Sequence, residues 1–402
     1  MNIKHSRREF LARSGQWAAT AGLLTKLAPL LLAQPRVPQA EAKVITRTLG
    51  RTGLTVPIVS LGFMNADAPG LIRRAYEVGI RHVDTAAAYQ RGRNEEMVGS
   101  MIKEMGVRGD VIVSTKVWLR DQVRDPKARD LFRQALEGSL KRLQMDHVDI
   151  LYYHLVDSLD DLRAEGPLQS LAELKKEGKA RYVGLSTHRG SLVLPAAAKM
   201  GLFDVGLVAF NYTMASDQNL LDALESAARA GMGIIAMKTQ AGGLSRPDPG
   251  LPKNLPLHSQ TALLKWALHH PFVATAIPGA TTYEQVEQNF SVASNLEYTD
   301  DEKSFLADRT FSAQAQYCRQ CAQCLSDCPR SADIPMLMRS HMYAVQYSNR
   351  ELARFTLSSI EAGRGLDVCR SCGECPVACR HDVNIGMKIA HLKTAGLDVA
   401  ES

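Results

Sequence analysis

Eight short runs rich in β-branched residues recur between Ile58 and Ala276, and each is followed by a longer segment with helical periodicity. The runs read PIVSLG, RHVDTA, DVIVSTKV, HVDILYYH, ARYVGLS, DVGLVAFN, GIIAMK and FVATAIPG. Strands that alternate with helices predict a parallel sheet, and eight such units predict a closed (β/α)8 TIM barrel of the α/β class. An open dinucleotide-binding sheet is disfavoured because no G-x-G-x-x-G motif follows the first run. The preceding stretch ITRTLGRTGLTVPI predicts a hairpin that closes the barrel floor.

The length of the chain predicts more than a barrel. A (β/α)8 barrel uses about 250 residues, whereas this chain has 402 residues, of which 45% are apolar. We therefore expect a signal peptide over residues 1–42, a barrel over residues 43–300, and a smaller, mostly helical domain over residues 301–402. Residues 1–42 contain six of the 48 Lys and Arg and two of the 42 Asp and Glu, which leaves the remainder with a net charge of +2. No nucleic-acid partner is expected at that charge.

The amino terminus predicts export. Arg7 and Arg8 lie in HSRREFLARSG, ahead of an apolar stretch, Trp17–Ala33, that is too short and too interrupted for a membrane span. The arginine pair resembles the bacterial twin-arginine (Tat) signal, which implies a partnership with the Tat translocase and a periplasmic location. Ala40-Glu41-Ala42 offers a cleavage site, so we expect a mature start at Lys43 and no membrane span after cleavage. A basic first helix of the mature protein and an uncleaved signal that tethers it are the alternatives.

Four polar side chains follow successive predicted strands, at the barrel edge where catalysis occurs in such folds. Asp84 ends the second strand, Tyr89 follows in the loop, Lys116 ends the third strand and His154 ends the fourth. A buried lysine needs a carboxylate partner, and Asp84 on the neighbouring strand suits that role. We expect Lys116 to favour the phenolate of Tyr89 and so to ease proton donation, while His154 orients a carbonyl. Each residue taken singly is explained as well by packing or turn formation.

The same residues carry a family resemblance. HVDTAAAYQRGRNEEMVG, VSTKVW and DILYYHLVD, together with RTLGRTGLTVPIVSLGF and GLSTH, resemble the aldo/keto reductase family over residues 46–295. The resemblance implies that Tyr89 is the general acid, that Lys116 and Asp84 tune it, and that His154 directs the substrate carbonyl. It also implies a nicotinamide cofactor and a small carbonyl or alcohol substrate.

The resemblance further implies a cofactor groove. The expected contact residues are Ser186, Thr187, Met237, Lys238, Gly279, Gln285 and Asn289. Ser186 and Thr187 replace the family's Ser-Asn pair, Leu207 stands where a Gln is usual, and Met237 stands where an aromatic ring usually stacks on the nicotinamide, although core filling explains Met237 equally well.

The residues at the phosphate end of this groove do not decide between NADPH and NADH. Gly279 and Gln285 occupy positions where NADPH-dependent relatives carry Lys or Arg, which puts NADPH preference in doubt. NADH, or NADPH held through Lys238 and Gly242-Gly243, remains open, and loss of nucleotide binding is a third alternative. The cofactor is therefore expected to be NADP or NAD.

All eight cysteines lie in two runs that obey C-x2-C-x2-C-x3-C. They are Cys318, Cys321, Cys324 and Cys328, then Cys369, Cys372, Cys375 and Cys379. Residues 318–335 and 369–386 form an internal repeat with an offset of 51. This spacing favours two 4Fe-4S clusters, with zinc and disulfides as the alternatives. The runs resemble bacterial two-cluster ferredoxins, which implies that Cys379 completes the first cluster and Cys328 the second.

Two functions are consistent with these features. The first is an exported aldo/keto reductase-type oxidoreductase that carries two 4Fe-4S clusters and reduces a carbonyl or oxidises an alcohol. The clusters then either hold the carboxyl-terminal domain together or relay electrons to a one-electron redox partner. The second is an electron-transfer or partner-binding subunit in which the barrel is a scaffold. Assembly of clusters before export would explain a translocase that accepts folded cargo.

Overall fold

The computed structural model describes residues 43–241, 257–308 and 316–397. The expected signal peptide and Gly242-Gly243 lie outside these residues. Contacts group Val44–Ser402 into a single structural unit. Among the described residues, no helix has the length and apolar character needed to cross a bilayer.

Among the described residues, ten strands form a hairpin and a barrel. The hairpin consists of β1 (Thr46–Thr48) and β2 (Thr55–Pro57), paired antiparallel. The barrel strands are β3 (Leu61–Gly62), β4 (His82–Asp84), β5 (Ile112–Val117), β6 (Val148–Tyr153), β7 (Ala180–Thr187), β8 (Val205–Ala209), β9 (Gly233–Met237) and β10 (Val273–Ala276). Neighbouring barrel strands pair in parallel in chain order, so the predicted order of eight strands is confirmed.

Backbone contacts close the sheet between its first and last strands. Parallel bridges join Val59 to Ala276 and Gly62 to Gly279. The amide of Ser60 donates to the carbonyl of Ala276 at 2.8 Å, and the amide of Ala276 donates to the carbonyl of Ile58 at 2.9 Å. A closed parallel sheet leaves no edge for intermolecular pairing. The TIM barrel predicted from the sequence is therefore confirmed.

One helix follows each barrel strand and packs against the outside. These helices are α1 (Pro69–Val78), α2 (Arg93–Met105), α3 (Ala128–Leu143), α4 (Glu165–Lys176), α5 (Gly190–Met200), α6 (Gln218–Arg229), α7 (Leu257–Leu268) and α8 (Tyr283–Ser291). A continuous apolar core fills the space between helices and strands. The regular alternation places all strand carboxyl ends on one face.

The opposite face is closed by the hairpin. Leu49 and Val56 are fully buried and belong to the apolar cluster inside the barrel, together with Tyr152 and Leu207. At the turn, Gly50 has a φ of +51°, and a Cβ there would lie 2.3 Å from the amide nitrogen of Gly233. Only glycine permits this approach, so the turn fixes the hairpin against β9. The predicted barrel floor is confirmed.

The regular secondary structure in the rest of the described chain is helical. Its helices are α9 (Asp300–Ala307), α10 (Ile334–His341), α11 (Arg350–Leu357), α12 (Leu366–Arg370) and α13 (Ile385–Thr394), and a π-helical turn, Met342–Gln346, extends α10. Helix α9 joins the barrel through a buried ion pair between Lys265 of α7 and Glu302, at 2.7 Å. We refer to residues 316–397, which follow it, as the C-terminal region.

The internal repeat has a structural counterpart. The side chain of Asp333 accepts from the amide of Met336 at the start of α10, and that of Asn384 accepts from the amide of Met387 at the start of α13. The two caps are 51 residues apart, as the repeat requires. Each cysteine run therefore leads into a capped helix.

The C-terminal region covers the carboxyl ends of the barrel strands. Asn349 donates to the side chain of Asn65 at 2.8 Å, and the rings of Trp118 and Phe355 meet edge to face with centroids 5.1 Å apart. Glu351 pairs with Arg91 at 2.9 Å. Helices α10 and α11 thus form a lid over the face that carries the predicted catalytic residues.

Candidate active site and candidate metal centres

The structure brings three of the four predicted catalytic residues into direct contact. Asp84 pairs with Ser114 in the β4–β5 register, and Lys116 lies two residues further along β5 on the same face. The Lys116 ammonium donates to Asp84 Oδ1, to the carbonyl of Thr85 at 2.7 Å and to the hydroxyl of Tyr89 at 3.2 Å. Ser114 donates to the other Asp84 oxygen at 2.8 Å. The carboxylate therefore fixes the ammonium beside the phenol.

His154 lies beside this group without bonding to it directly. Its backbone amide continues the β5–β6 ladder by donating to Val117 at 2.9 Å, and its ring meets that of Tyr89 edge to face with centroids 6.3 Å apart. Trp118 packs against the same imidazole at 6.1 Å. Tyr89 and His154 both line one small cavity.

Burial determines the protonation of the site. It raises the pKa of Tyr89 well above 10, and the Asp84 carboxylate raises it further, so the phenol is protonated at neutral pH. This direction differs from the expectation that Lys116 favours the phenolate. Burial also lowers the pKa of Lys116. The pKa of His154 falls well below 6.5, because the ring is buried and Lys116 lies close. The site therefore presents a neutral phenol and a neutral imidazole.

The C-terminal region contributes side chains that the sequence analysis missed. Arg339, Tyr343 and Phe355 line the cavity above Tyr89 and His154, and Tyr347 lines the adjoining groove. The cavity that remains has a volume of about 30 Å3, which is room for about two water molecules. Arg339, Tyr343 and Tyr347 recur every four residues, a spacing that places them on one face of a helix. That spacing is the signal that would have identified them.

Asp157, in the loop after β6, joins the lid to the barrel. One of its carboxylate oxygens accepts from Thr187 Oγ1 at 3.0 Å and from the amide of His188 at 2.7 Å. The other accepts from Arg339 at 2.6 Å. Burial opposes ionisation of Asp157, but Arg339 and His188 hold its pKa well below 3.8. Asp157 is therefore a charged anchor for the lid.

Only part of the predicted cofactor set lines the adjoining groove. Met237, Lys238, Gly279 and Gln285 line a cavity of about 100 Å3 that begins at Asp84 and Tyr89. Ser186 lines the catalytic cavity instead, and its hydroxyl accepts from the amide of Leu155 at 3.0 Å.

The other expected contacts lie elsewhere. Thr187 is fully buried and bonded to Asp157, Asn289 is buried against the carbonyl of Gly279, and Leu207 belongs to the barrel interior. In this structure the Thr187 hydroxyl donates to Asp157, and its contact with a nicotinamide stays a prediction.

The eight cysteines lie in two groups. The thiol of Cys318 lies close enough to those of Cys324, Cys321 and Cys379 for their negative charge to raise its pKa. Cys328, Cys369, Cys372 and Cys375 line one cavity of about 350 Å3. Each group combines three cysteines of one run with the fourth cysteine of the other.

The cysteine thiols fit an iron–sulfur cluster better than they fit a zinc ion or disulfide bonds. All eight cysteines are free thiols, so no disulfide forms. A zinc ion requires four donors about 2.3 Å from one point, and in the described part of the chain no three His, Cys, Asp or Glu side chains converge in this way. Burial, then repulsion from neighbouring thiolates, raises the pKa of Cys318 to about 12. Cys318 alone is therefore a neutral thiol at neutral pH, and a cationic metal centre beside it would stabilise the thiolate form.

Comparison with known proteins assigns a family model to the barrel and another to the C-terminal region. The aldo/keto reductase family model matches residues 60–307, and the 4Fe-4S dicluster domain model matches residues 317–384. The chain therefore belongs to the aldo/keto reductase family and is an oxidoreductase. It carries a 4Fe-4S dicluster domain after the barrel.

Individual relatives match the barrel. The L-galactose dehydrogenase of Arabidopsis thaliana is 29% identical over 289 residues, which cover 63% of this chain and 90% of the relative. The methylglyoxal reductase DkgB of Escherichia coli O157:H7 is 29% identical over 240 residues, which cover 59% of this chain and 85% of the relative. A Klebsiella pneumoniae aldo/keto reductase, solved in complex with NADP and acetate, is similar in structure with a TM-score of 0.54, 25% identity and coverage of 66% and 95%.

Proposed function

We propose that this oxidoreductase reduces a small carbonyl compound, or oxidises the corresponding alcohol, with a nicotinamide nucleotide. The observation that carries the proposal is the contact of the Lys116 ammonium with both Asp84 and the hydroxyl of Tyr89. This contact places a protonated phenol, with a fixed cation beside it, at the carboxyl ends of the barrel strands. A phenol in that position is a general acid for a carbonyl oxygen.

The chain's own residues have separate tasks in this reaction. Tyr89 donates its proton to the carbonyl oxygen, and Lys116 stabilises the negative charge that develops on the phenol oxygen. Asp84 holds the ammonium in place, and the neutral imidazole of His154 orients the carbonyl. The nicotinamide nucleotide supplies the hydride that the carbonyl carbon accepts.

The groove lined by Met237, Lys238 and Gly279 suits the nicotinamide end of the nucleotide, because it opens directly onto Tyr89. The Klebsiella relative that was solved with NADP supports NADP as the cofactor. The lack of a positive side chain at positions 279 and 285 favours NAD equally. We therefore propose that the enzyme uses NADP or NAD with little preference.

Tyr89→Phe tests this function. Loss of the proton donor is expected to lower kcat for carbonyl reduction by about a thousandfold, with nucleotide affinity and iron content unchanged. Tyr76→Phe is the matched control, since that tyrosine lies on α1 and bonds to Asp110 at 3.0 Å. Full activity in Tyr89→Phe would contradict the assignment. A wild type that binds iron but reduces no carbonyl compound would favour the second function, a scaffold or electron-transfer subunit, for which the nearly filled catalytic cavity is the supporting observation.

We propose further that the C-terminal region holds two 4Fe-4S clusters. The first is bound by Cys318, Cys321, Cys324 and Cys379, and the second by Cys328, Cys369, Cys372 and Cys375. The grouping of the thiols supports this assignment. Anaerobically purified protein should contain about eight iron and eight sulfide per chain. Cys328→Ala should remove about half of the iron, and a full iron content in that variant would contradict the pairing.

Export through the Tat pathway is the third part of the proposal. It is supported by Arg7, Arg8 and the apolar stretch that follows them. The protein should appear in the periplasm of a Tat-competent bacterium and remain in the cytoplasm when Arg7 and Arg8 are both replaced by Lys. Equal periplasmic amounts of both forms would contradict Tat export.

A further inference from the structure

Arg339 is a buried cation whose hydrogen bonds are incomplete. It lies on α10 and is 3% exposed. One terminal nitrogen, Nη2, donates to Asp157 at 2.6 Å and to Gln320 Oε1 at 2.8 Å. The other two nitrogens, Nε and Nη1, are buried and have no hydrogen-bond partner among the described residues. Unsatisfied donors on a buried charged group are strongly unfavourable unless a ligand pairs with them.

Two neighbours of Arg339, His154 and His188, also have buried polar atoms without a hydrogen-bond partner among the described residues. Arg339, His154 and His188 line one cavity with Tyr89. Nδ1 of His154 and Nε2 of His188 are buried without a hydrogen-bond partner in the described part of the chain. The residues that line the space above the catalytic phenol therefore include two histidines and an arginine that each carry a buried nitrogen without a hydrogen-bond partner among the described residues.

The charges around this cavity favour an anion. Its lining includes Lys116, Lys238 and Arg339 but no Asp or Glu among the described residues. Asp84 offsets Lys116, and Asp157 offsets Arg339. Lys238 contacts the sulfur of Met64 at 3.5 Å and the rings of Tyr343 and Tyr347 at 4.7 Å and 4.8 Å, with no carboxylate partner in the described chain. Lys238 therefore has no carboxylate beside it in the described chain, and an anion bound in this cavity would favour its charged form.

The size of the cavity limits the anion. About 30 Å3 is too little for a sugar or an aromatic ring, and the lid residues Tyr343 and Phe355 fill the space above. A planar carboxylate is a good match for a guanidinium in a small space. Because Tyr89, Met237 and Lys238 line both this cavity and the adjoining groove of about 100 Å3, a compound with a carboxylate next to its carbonyl can place the carbonyl at Tyr89 and the carboxylate at the Arg339 side.

We propose that Arg339 is the specificity-determining residue of the catalytic site and that it selects a small 2-oxo acid as the substrate. This inference rests on the proposed function and names its substrate class. The carboxylate pairs with Arg339, and the adjacent carbonyl lies at Tyr89. The carbonyl carbon accepts the hydride, the carbonyl oxygen accepts the Tyr89 proton, and the product is a 2-hydroxy acid together with the oxidised nucleotide.

Binding of two unreactive analogues tests the proposal without catalysis. Oxamate has the shape of pyruvate and carries a carboxylate, whereas oxamide has a similar shape and no charge. Titration calorimetry on the cluster-loaded full chain should show oxamate binding at least about 30-fold tighter than oxamide. Equal affinities for the two compounds, or no measurable binding of oxamate, would overturn the proposal.

Variants assign the selectivity to Arg339. Replacement of Arg339 alone would leave Asp157 as an unpaired buried carboxylate, so Arg339→Met is combined with Asp157→Asn. The double variant should bind oxamate about 30-fold more weakly than the wild type, with iron content unchanged. If it fails to load iron, Arg339→Lys carries the test with an expected loss of about fivefold, because a lysine keeps the charge but not the planar donor set. Arg354→Met, on the exposed side of α11, is the control. Wild-type affinity for oxamate in these Arg339 variants would overturn the assignment.

Kinetics separate this inference from the proposed function. The wild type should reduce pyruvate with a kcat/KM at least about 30-fold above that for uncharged pyruvamide. An enzyme that reduces pyruvamide as well as pyruvate would overturn the role of Arg339 and leave the proposed function intact. Tight oxamate binding that requires Arg339, combined with no reduction of any carbonyl, would support the anion site and contradict the proposed function.

Discussion

Lys238 combines three features that are individually uncommon for a lysine. It has a left-handed backbone conformation with a φ of +60°, directly after β9. Its ammonium packs against the rings of Tyr343 and Tyr347. Burial, followed by repulsion from Arg339 and Lys116, lowers its pKa to about 7. A residue held in this way destabilises the folded chain whenever it is charged.

The pH dependence of stability should reveal this effect. The unfolded chain keeps Lys238 protonated up to its ordinary pKa near 10.4, whereas the folded chain releases the proton near pH 7. Unfolded protein therefore binds more protons between these values, and stability rises with pH through that window. Relative to Lys238→Met, the nucleotide-free wild type should gain about 2 kcal/mol between pH 7 and pH 9.

Urea unfolding followed by circular dichroism at pH 7, 8 and 9 measures this difference. Lys199→Met, at an exposed position near the end of α5, serves as the control and should follow the wild type. Parallel pH curves for the wild type and Lys238→Met would show that the buried ammonium is not a source of pH dependence.

At the level of single residues, the sequence predicted the site residues that lie on the barrel strands and missed those that lie on the lid. Asp84, Lys116 and His154 were found because side chains at successive strand ends must converge on one face. Arg339 was missed because its partner, Asp157, is 182 residues away in the chain. Nothing in the local pattern around either residue indicates that contact.

The helix α8 and the loop before it define the outer end of the groove. Gln285 Oε1 accepts from the amide of Thr281 at 2.7 Å and from its hydroxyl at 3.1 Å. Asn289 donates to the carbonyl of Gly279 at 3.1 Å. These amide side chains are used to shape the loop, and neither supplies the positive charge that a 2′-phosphate requires.

Gln285→Arg should therefore create a preference for NADPH. A charge-assisted hydrogen bond to the 2′-phosphate should raise the ratio of kcat/KM for NADPH over NADH by at least about tenfold. The wild-type ratio should lie within about tenfold of one. Gln288→Arg places the same charge one turn further along α8, on a residue outside the groove lining, and should leave the ratio near that of the wild type. An equal NADPH to NADH ratio in the wild type, Gln285→Arg and Gln288→Arg would show that the 2′-phosphate does not bind beside position 285.

At the level of elements, periodicity predicted the barrel well because one rule, strand followed by helix, governs all eight units. The domain over residues 301–402 was also predicted to be mostly helical, and α10 and α11 lie within it. Its position over the active site was not predicted. The π-helical turn Met342–Gln346 widens the helix after Arg339, where the amide of Tyr347 bonds to the carbonyl of Met342 at 3.1 Å. Such turns depend on tertiary packing and have no clear sequence signature.

In the molecule as a whole, a hydrogen-bond path links a cluster ligand to the catalytic cavity. Gln320 donates from Nε2 to the sulfur of Cys318 at 3.3 Å and to the carbonyl of Pro335 at 2.9 Å. Its Oε1 accepts from Arg339, which in turn holds Asp157 of the barrel. A metal centre that fixes Cys318 therefore also fixes Gln320, and through it the lid residue that we propose binds the substrate carboxylate.

Gln320→Leu should separate the two tasks of this side chain. Leucine fills a similar volume, so all eight cysteines and the iron content should be preserved, but Arg339 loses a charge-assisted hydrogen bond and its fixed orientation. We expect kcat/KM for pyruvate to fall about tenfold, mainly through KM because the Tyr89 proton donor is untouched. Gln323→Leu, an exposed residue of the same cysteine run, is the matched control. If Gln320→Leu retains both iron and the wild-type KM, then the clusters stabilise the C-terminal region without orienting Arg339, and the two halves of the molecule act independently.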